Sequence, residues 1–228
     1  MKKINTQDEW IKRASEVLPA AGFGNFENDI IIKCGKGSKV WDEDNNEYID
    51  YLIGSGPMLL GHGHPEVMEA IFEQLPKGMT FFANNSKGIE LAEEICKAVK
   101  CSEMVRFVSS GGEADMYAMR LARAYSGKEK ILKFEGGYHG MSAEAQMSLS
   151  PSNLVNFPQP VPDSAGIPRT IEKDVLIAPF NDLEFIKSIV AEYKDEIAGV
   201  IVEPLQRIVP PLPGFLEGLK KICSENHI

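Results

Sequence analysis

The sequence predicts an α/β fold, with a mostly parallel sheet in a large domain behind a small N-terminal α+β segment. From about residue 86, helical stretches alternate with short apolar strands: "MVRFV" (104–108), "KILKF" (130–134), "DVLIA" (174–178) and "IAGVIVE" (197–203). Such alternation calls for right-handed crossovers and a sheet covered on both faces. Before it, "DIIIKCGKGSKVWDEDNNEYIDYLI" holds three β-rich runs broken by turn residues, the pattern of an antiparallel meander. The 228 residues, 43% of them hydrophobic, suffice for one large domain or two modest ones with a real core. The expected division is 1–64 and 65–228.

Residues 6–18 read as a helix: Thr6 and Glu9 form a capping box, and Trp10, Ala14, Val17 and Leu18 share a face. The meander breaks at Gly35-Lys36-Gly37 and at Asp44-Asn45-Asn46. Pro65 is suited to open the helix "PEVMEAIFEQL". "IELAEEICKAV" carries a stripe of Leu91, Ile95 and Ala98. "EADMYAMRLARAYS" carries one of Ala114, Ala118, Leu121, Ala122 and Tyr125. The Pro- and Ser-rich stretch 148–170 has no period and predicts a mobile loop over the active site. "NDLEFIKSIVAEY" is a helix capped by Asn181, with Glu184 in its first turn, and "GFLEGLKKICSEN" is a last helix stopped at Asn226. His227-Ile228 then reads as the start of another strand. A sheet cut there leaves an edge unpaired, so the chain looks truncated, the front part of a longer protein.

The formal net charge of −9 argues against nucleic acid or an anionic membrane as partner. No run approaches the ~20 apolar residues that cross a bilayer, and no apolar stretch follows the first lysines. Cys34, Cys96, Cys101 and Cys223 form no CxxC pair, which suits free thiols in a cytoplasmic protein. His62 and His64 in "GHGHP" read as turn and helix-cap residues, and "DEDNNE" as a solvated turn.

Ligands of α/β sheets sit beyond the carboxyl ends of the strands, where three segments converge. "SSGGEA" joins a strand to a helix, and the amides of Ser110, Gly111 and Gly112 can converge on a phosphate that the helix dipole favours. It is neither a P-loop nor GxGxxG. "FEGGYHG" holds Tyr138, a plane on which a flat ligand can stack, next to His139. "VIVEP" ends a buried strand with Glu203, a carboxylate that must meet a cation, a donor or a ligand. Together they suggest a phosphorylated aromatic cofactor.

"SGGEADMYAMRLAR", "KFEGGYHG", "APFNDLE" and "AGVIVEP", in this order, resemble class III pyridoxal-phosphate aminotransferases. "YIDYL", "GSGPMLLGHGHPEV", "MVRFV" and "PPLPGFLEGLKK" narrow the resemblance to the branch containing glutamate-1-semialdehyde aminomutase. The resemblance implies the PLP-dependent transferase fold type I, a homodimer, and pyridoxal 5'-phosphate as cofactor. It also implies amino transfer between an amino acid or amine and a keto or aldehyde acceptor. By it Ser110, Gly111 and Gly112 hold the phosphate, Tyr138 stacks on the ring, His139 shapes the same loop, Glu203 lies near the ring, and Ser55 and Gly56 face the substrate.

Three features depart from the family pattern. Gly112 stands where the family has Ser or Thr. The loop "PAAGFGNFEND" lacks the arginine that receives the aminomutase's substrate carboxylate. The Schiff-base lysine and the aspartate of the ring nitrogen are expected beyond residue 228, so the chain alone is expected to be inactive. Two other readings are a cofactor-binding remnant without that lysine, and the aminomutase itself.

Overall fold

The computed structural model describes residues 6–23, 30–153 and 155–228; Phe26 of the arginine-free loop lies outside them. Compactness divides the chain into two units, Met1–Glu94 and Ile95–Ile228.

The first unit begins with α1 (Gln7–Val17), closed by the expected capping box: Thr6 Oγ1 accepts from Glu9 N, and the Glu9 carboxylate accepts from Thr6 N. Strands β1 (Ile32–Lys36), β2 (Lys39–Asp42) and β3 (Glu47–Ile49) form the antiparallel meander. Its second turn is exposed from Asp44 to Glu47, as expected, but is anchored on a buried residue. Asp42 is fully buried and accepts from Asn46 N (2.7 Å), Asp44 N (3.0 Å), Asn46 Nδ2 (2.8 Å) and Tyr48 Oη (3.0 Å). Burial pushes its carboxyl up, but these donors outweigh burial and the net direction is down. His62 Nε2 lies 2.7 Å from Asp50 Oδ2, and its ring packs where a Cβ on Gly35 would stand. Pro65 opens α2 (Pro65–Gln74) behind His64 as N-cap, with no side-chain cap bond. Helix α3 (Ser86–Ala98) spans the division between the units, and its Leu91 is exposed.

In the second unit, α4 (Gly111–Ser126) leads to β4 (Lys130–Phe134), β5 (Val175–Ala178), α5 (Leu183–Tyr193), β6 (Ile197–Val200) and α6 (Phe215–Glu225). The strands form a parallel sheet in the order β5-β4-β6. Leu132 and Phe134 of β4 pack with Ile186, Val190, Phe215 and Leu219 of α5 and α6. Phe134, Phe180 and Phe215 meet edge to face, with ring centroids 4.9–5.9 Å apart. Ile131, one residue out of phase, packs with Met119 of α4 and Ala198. Sheet burial on both sides follows from parallel pairing.

Three local expectations need correction. Residues 104–108 form no strand, because no neighbouring strand pairs with them among the described residues, and a strand exists only through its ladder. Of the stripe assigned to α4, Ala122 does pack inward beside Met119, but Leu121 is 68% and Tyr125 93% exposed. Asp182, not Asn181, caps α5, accepting from Phe185 N at 2.9 Å. Asn181 instead adopts φ 69° and bridges to Pro210 O and Leu212 N. Asn226 closes α6 as expected, and Ile228 N donates to Cys223 O. The stretch 148–170 is exposed or partly buried at its described residues apart from Ser148, and it is anchored at several points. Ser148 N donates to Val161 O (2.7 Å), Ile177 N to Pro158 O (3.0 Å), and Phe157, Ile167 and Ile171 pack onto the core of Met147, Val175 and Ile177.

Candidate functional site

Helix α4 begins at Gly111, two residues earlier than the sequence suggests. Ser110 is its N-cap: its Oγ accepts from Glu113 N at 3.2 Å, and Glu113 Oε2 accepts from Ser109 N at 2.7 Å. Capping uses the serine's lone pair and leaves its O–H free to donate. The amides of Gly111 and Gly112 meet no protein acceptor among the described residues. A Cβ on Gly111 would enter open space, so a cradle of donors faces outward at the positive end of the helix dipole.

Beyond β4, the turn 135–140 is brought against that cradle. Gly137 N donates back to Phe134 O (3.0 Å) and Gly136 N to Ser148 O (2.9 Å). Gly136 and Gly140 adopt φ of +82° and +85°, which only glycine takes without strain. At Gly140 the two backbones touch: a Cβ there would stand 2.4 Å from Gly112 Cα. Ser110, Gly111 and Gly112 are thereby joined to the turn that carries Tyr138 and His139.

Glu203 lies three residues past β6, not at its end, and its Oε2 accepts from Tyr138 N at 2.8 Å. The carboxylate thus meets a donor, as its position requires. Tyr138 is 41% exposed, with the Arg207 guanidinium 4.8 Å from its ring centroid. His139 is buried, and burial, with Lys133 and Arg207 nearby, pushes its imidazole down to about 4. Asp115 Oδ2 lies 3.9 Å from its Nδ1. With the ring neutral at pH 7, that contact is not an ion pair. Burial, then the charge of Glu203, pushes Asp115 up.

Three residues here escaped sequence reasoning. Buried Gln206 donates through Nε2 to Glu135 O at 2.7 Å, while its Oε1, like His139 Nε2, is buried without a partner. Both orphaned atoms lie beside Gly137: a Cβ there would be 3.2 Å from His139 Nε2 and 3.4 Å from Gln206 Oε1. Lys133 is 1% exposed and gives its ammonium to Ala145 O (2.7 Å) and Met147 O (2.5 Å). Burial pushes it down to about 8. A lysine inside "KILKF", a strand buried on both faces, was the available signal for it. Arg207 is the third, and the sequence around it bears no motif. Ser55 and Gly56 belong to the first unit, in a run of left-handed turns with φ of 62° and 111°.

Glutamate-1-semialdehyde 2,1-aminomutase of Natranaerobius thermophilus is 41% identical over 235 aligned residues, covering 99% of this chain and 54% of that protein. An omega-transaminase from Sphaerobacter thermophilus superposes with a TM-score of 0.92 at 30% identity, covering 100% of this chain and 54% of its own. A transaminase solved with PLP bound gives 0.88 at 29% identity, over 96% of this chain and 53% of its own. The chain thus spans about half the length of the curated relatives it matches. The aminotransferase class-III family model matches residues 23–228, and the chain belongs to that family.

Proposed function

We propose that the protein is a pyridoxal 5'-phosphate-dependent aminotransferase or aminomutase, and that this chain supplies the cofactor's phosphate and ring contacts. The observation that carries the reading is the free-donor cradle of Ser110, Gly111 and Gly112, in backbone contact with the Tyr138 turn. The residues fit the cofactor. A dianion matches the amides and hydroxyl at the start of α4, the ring matches the exposed Tyr138 plane, and the orphaned His139 Nε2 and Gln206 Oε1 match polar substituents of the ring or water held beside it.

When bound, the cofactor supplies an electron sink for carbanion charge. The chain's own part is to bind and orient. Ser110 would donate its hydroxyl, and Gly111 and Gly112 their amides, to the phosphate. Tyr138 would offer its plane to the ring, and Glu203 holds the Tyr138 amide so that the plane keeps its place. His139 stays neutral at pH 7, so it can accept or donate a hydrogen bond without adding charge. The proton-moving lysine is proposed to lie outside these 228 residues. Lys133 supports this: its ammonium is buried and taken up by two carbonyls. A homodimer, and an amino acid or amine as donor, belong to the same proposal on family likeness.

The test is titration with pyridoxamine 5'-phosphate, which cannot form adducts with surface lysines, followed by its fluorescence. Binding should saturate, be competed by inorganic phosphate, and be lost with pyridoxamine lacking the phosphate. Binding that ignores the phosphate would overturn the reading.

A further inference from the structure

Residues 206–209 form a tight hairpin: Gln206 N donates to Val209 O (3.1 Å) and Val209 N to Gln206 O (2.8 Å). Arg207 is the first central residue, with φ 56°, and Ile208 shows no positive φ. Positive φ at the first centre alone is the pattern of a type II′ turn, a position that takes glycine. An arginine here carries backbone strain, which persists where the side chain is needed. The frame around it is firm, since Gln206 is buried and anchored on Glu135 O.

The strain places a guanidinium at the candidate site. Its Cζ lies 4.8 Å from the Tyr138 ring centroid, and its Nε reaches Gly136 O at a long 3.4 Å. No carboxylate is in ion-pair distance of Arg207 among the described residues, and its outer N–H groups have no protein acceptor. A planar fork with free donors beside a stacking plane is suited to a bidentate oxyanion. The phosphate has its own donors at the start of α4, whereas Arg207 stands on the ring side with Tyr138. The loop 19–29 offers no arginine to do this work.

We propose that Arg207 receives the carboxylate of the amino substrate, which makes this a site for amino acids rather than plain amines. The proposal rests on the cofactor reading above and names its substrate class. Stable conjugates of the phosphopyridoxyl group with glycine, β-alanine, γ-aminobutyrate and propylamine test it by equilibrium binding, without turnover. At least one carboxylate conjugate should bind tenfold or more tighter than the propylamine conjugate. Arg207→Gly, which suits the turn and keeps the melting temperature, should abolish that preference and change propylamine-conjugate and pyridoxamine 5'-phosphate binding less than twofold. Arg207→Lys should restore part of it. A preference that survives Arg207→Gly, or no preference at all, overturns the proposal. An equal loss for every probe also overturns it and assigns Arg207 to the phosphate. Failure of pyridoxamine 5'-phosphate itself to bind the unaltered protein removes the cofactor reading, and this proposal with it.

Discussion

Replacing Gly140 with alanine tests whether the contact between the 135–140 turn and α4 is the joint that assembles the site. The new Cβ would stand 2.4 Å from Gly112 Cα, where carbon atoms need about 3.5–4.0 Å. Both partners are backbone, so no side chain can swing aside, and turn and helix must part by roughly 1 Å. Overpacking of that kind costs about 1–3 kcal/mol. The φ of +85° adds about 1–2 kcal/mol for any residue with a Cβ. With a total near 3 kcal/mol, and about 2–4 °C per kcal/mol at this chain length, the melting temperature should fall by about 6–12 °C. Gly111→Val is the control: its side chain enters open space without positive φ, so melting should be unchanged. Because that space is the proposed phosphate seat, Gly111→Val should still weaken pyridoxamine 5'-phosphate binding at least tenfold, about 1.4 kcal/mol. Thermal melts and fluorescence titration of both variants check this. Gly140→Ala melting within 2 °C of the parent, or Gly111→Val keeping full affinity, would refute the reasoning.

Two further outcomes follow from the buried titratable groups. His139 falls from 6.5 unfolded to about 4 folded, so below pH 6.5 the unfolded chain takes a proton that the folded one refuses. Stability should therefore be flat above 6.5 and drop by about 1.4 kcal/mol per pH unit towards pH 4, reaching roughly 3 kcal/mol. Urea melts at pH 7.5, 6.0 and 5.0 should show that slope, and His139→Gln should flatten it; an unchanged slope would remove His139 as the cause. Lys133 falls from 10.5 to about 8, so between those values the folded state has shed a proton that the unfolded state keeps. Stability should rise by up to roughly 3 kcal/mol on that account as pH climbs from 8 to 10.5. Lys133→Met should lose this rise in the same melts, and a rise that persists would assign it elsewhere.

What the sequence made legible was local chemistry. The Thr6–Glu9 box, Pro65, Asn226 and the short apolar strands β4 and β5 each signal through a few adjacent residues and are found there, while β6 stops three residues short of its expected end. What stayed hidden depends on distant partners. "MVRFV" has the composition of a strand but lacks a described neighbour to pair with. On α4 the alanines admit two apolar stripes, and only the sheet selects the one with Met119. Asp42 looks solvated until Tyr48 and Asn46 close over it. At the site, Gly111, Tyr138 and Glu203 stand out as residue types, and the structure brings their segments together. Gln206 and Arg207 do not stand out, since a glutamine and an arginine after Glu-Pro are ordinary until one is buried with an orphaned oxygen and the other is bent into a glycine's turn.

The hydrogen bond between Glu203 and Tyr138 ends on the main-chain amide and does not involve the phenol. Grip and display are therefore separate at this position. The carboxylate would hold a phenylalanine, a tryptophan or a histidine in the same place, because every one of them offers the same N–H. The ring above can vary in size, polarity or quadrupole while the turn beneath stays as it is. A lineage could thus retune how this plane meets its ligand in single mutational steps, without passing through a misfolded intermediate.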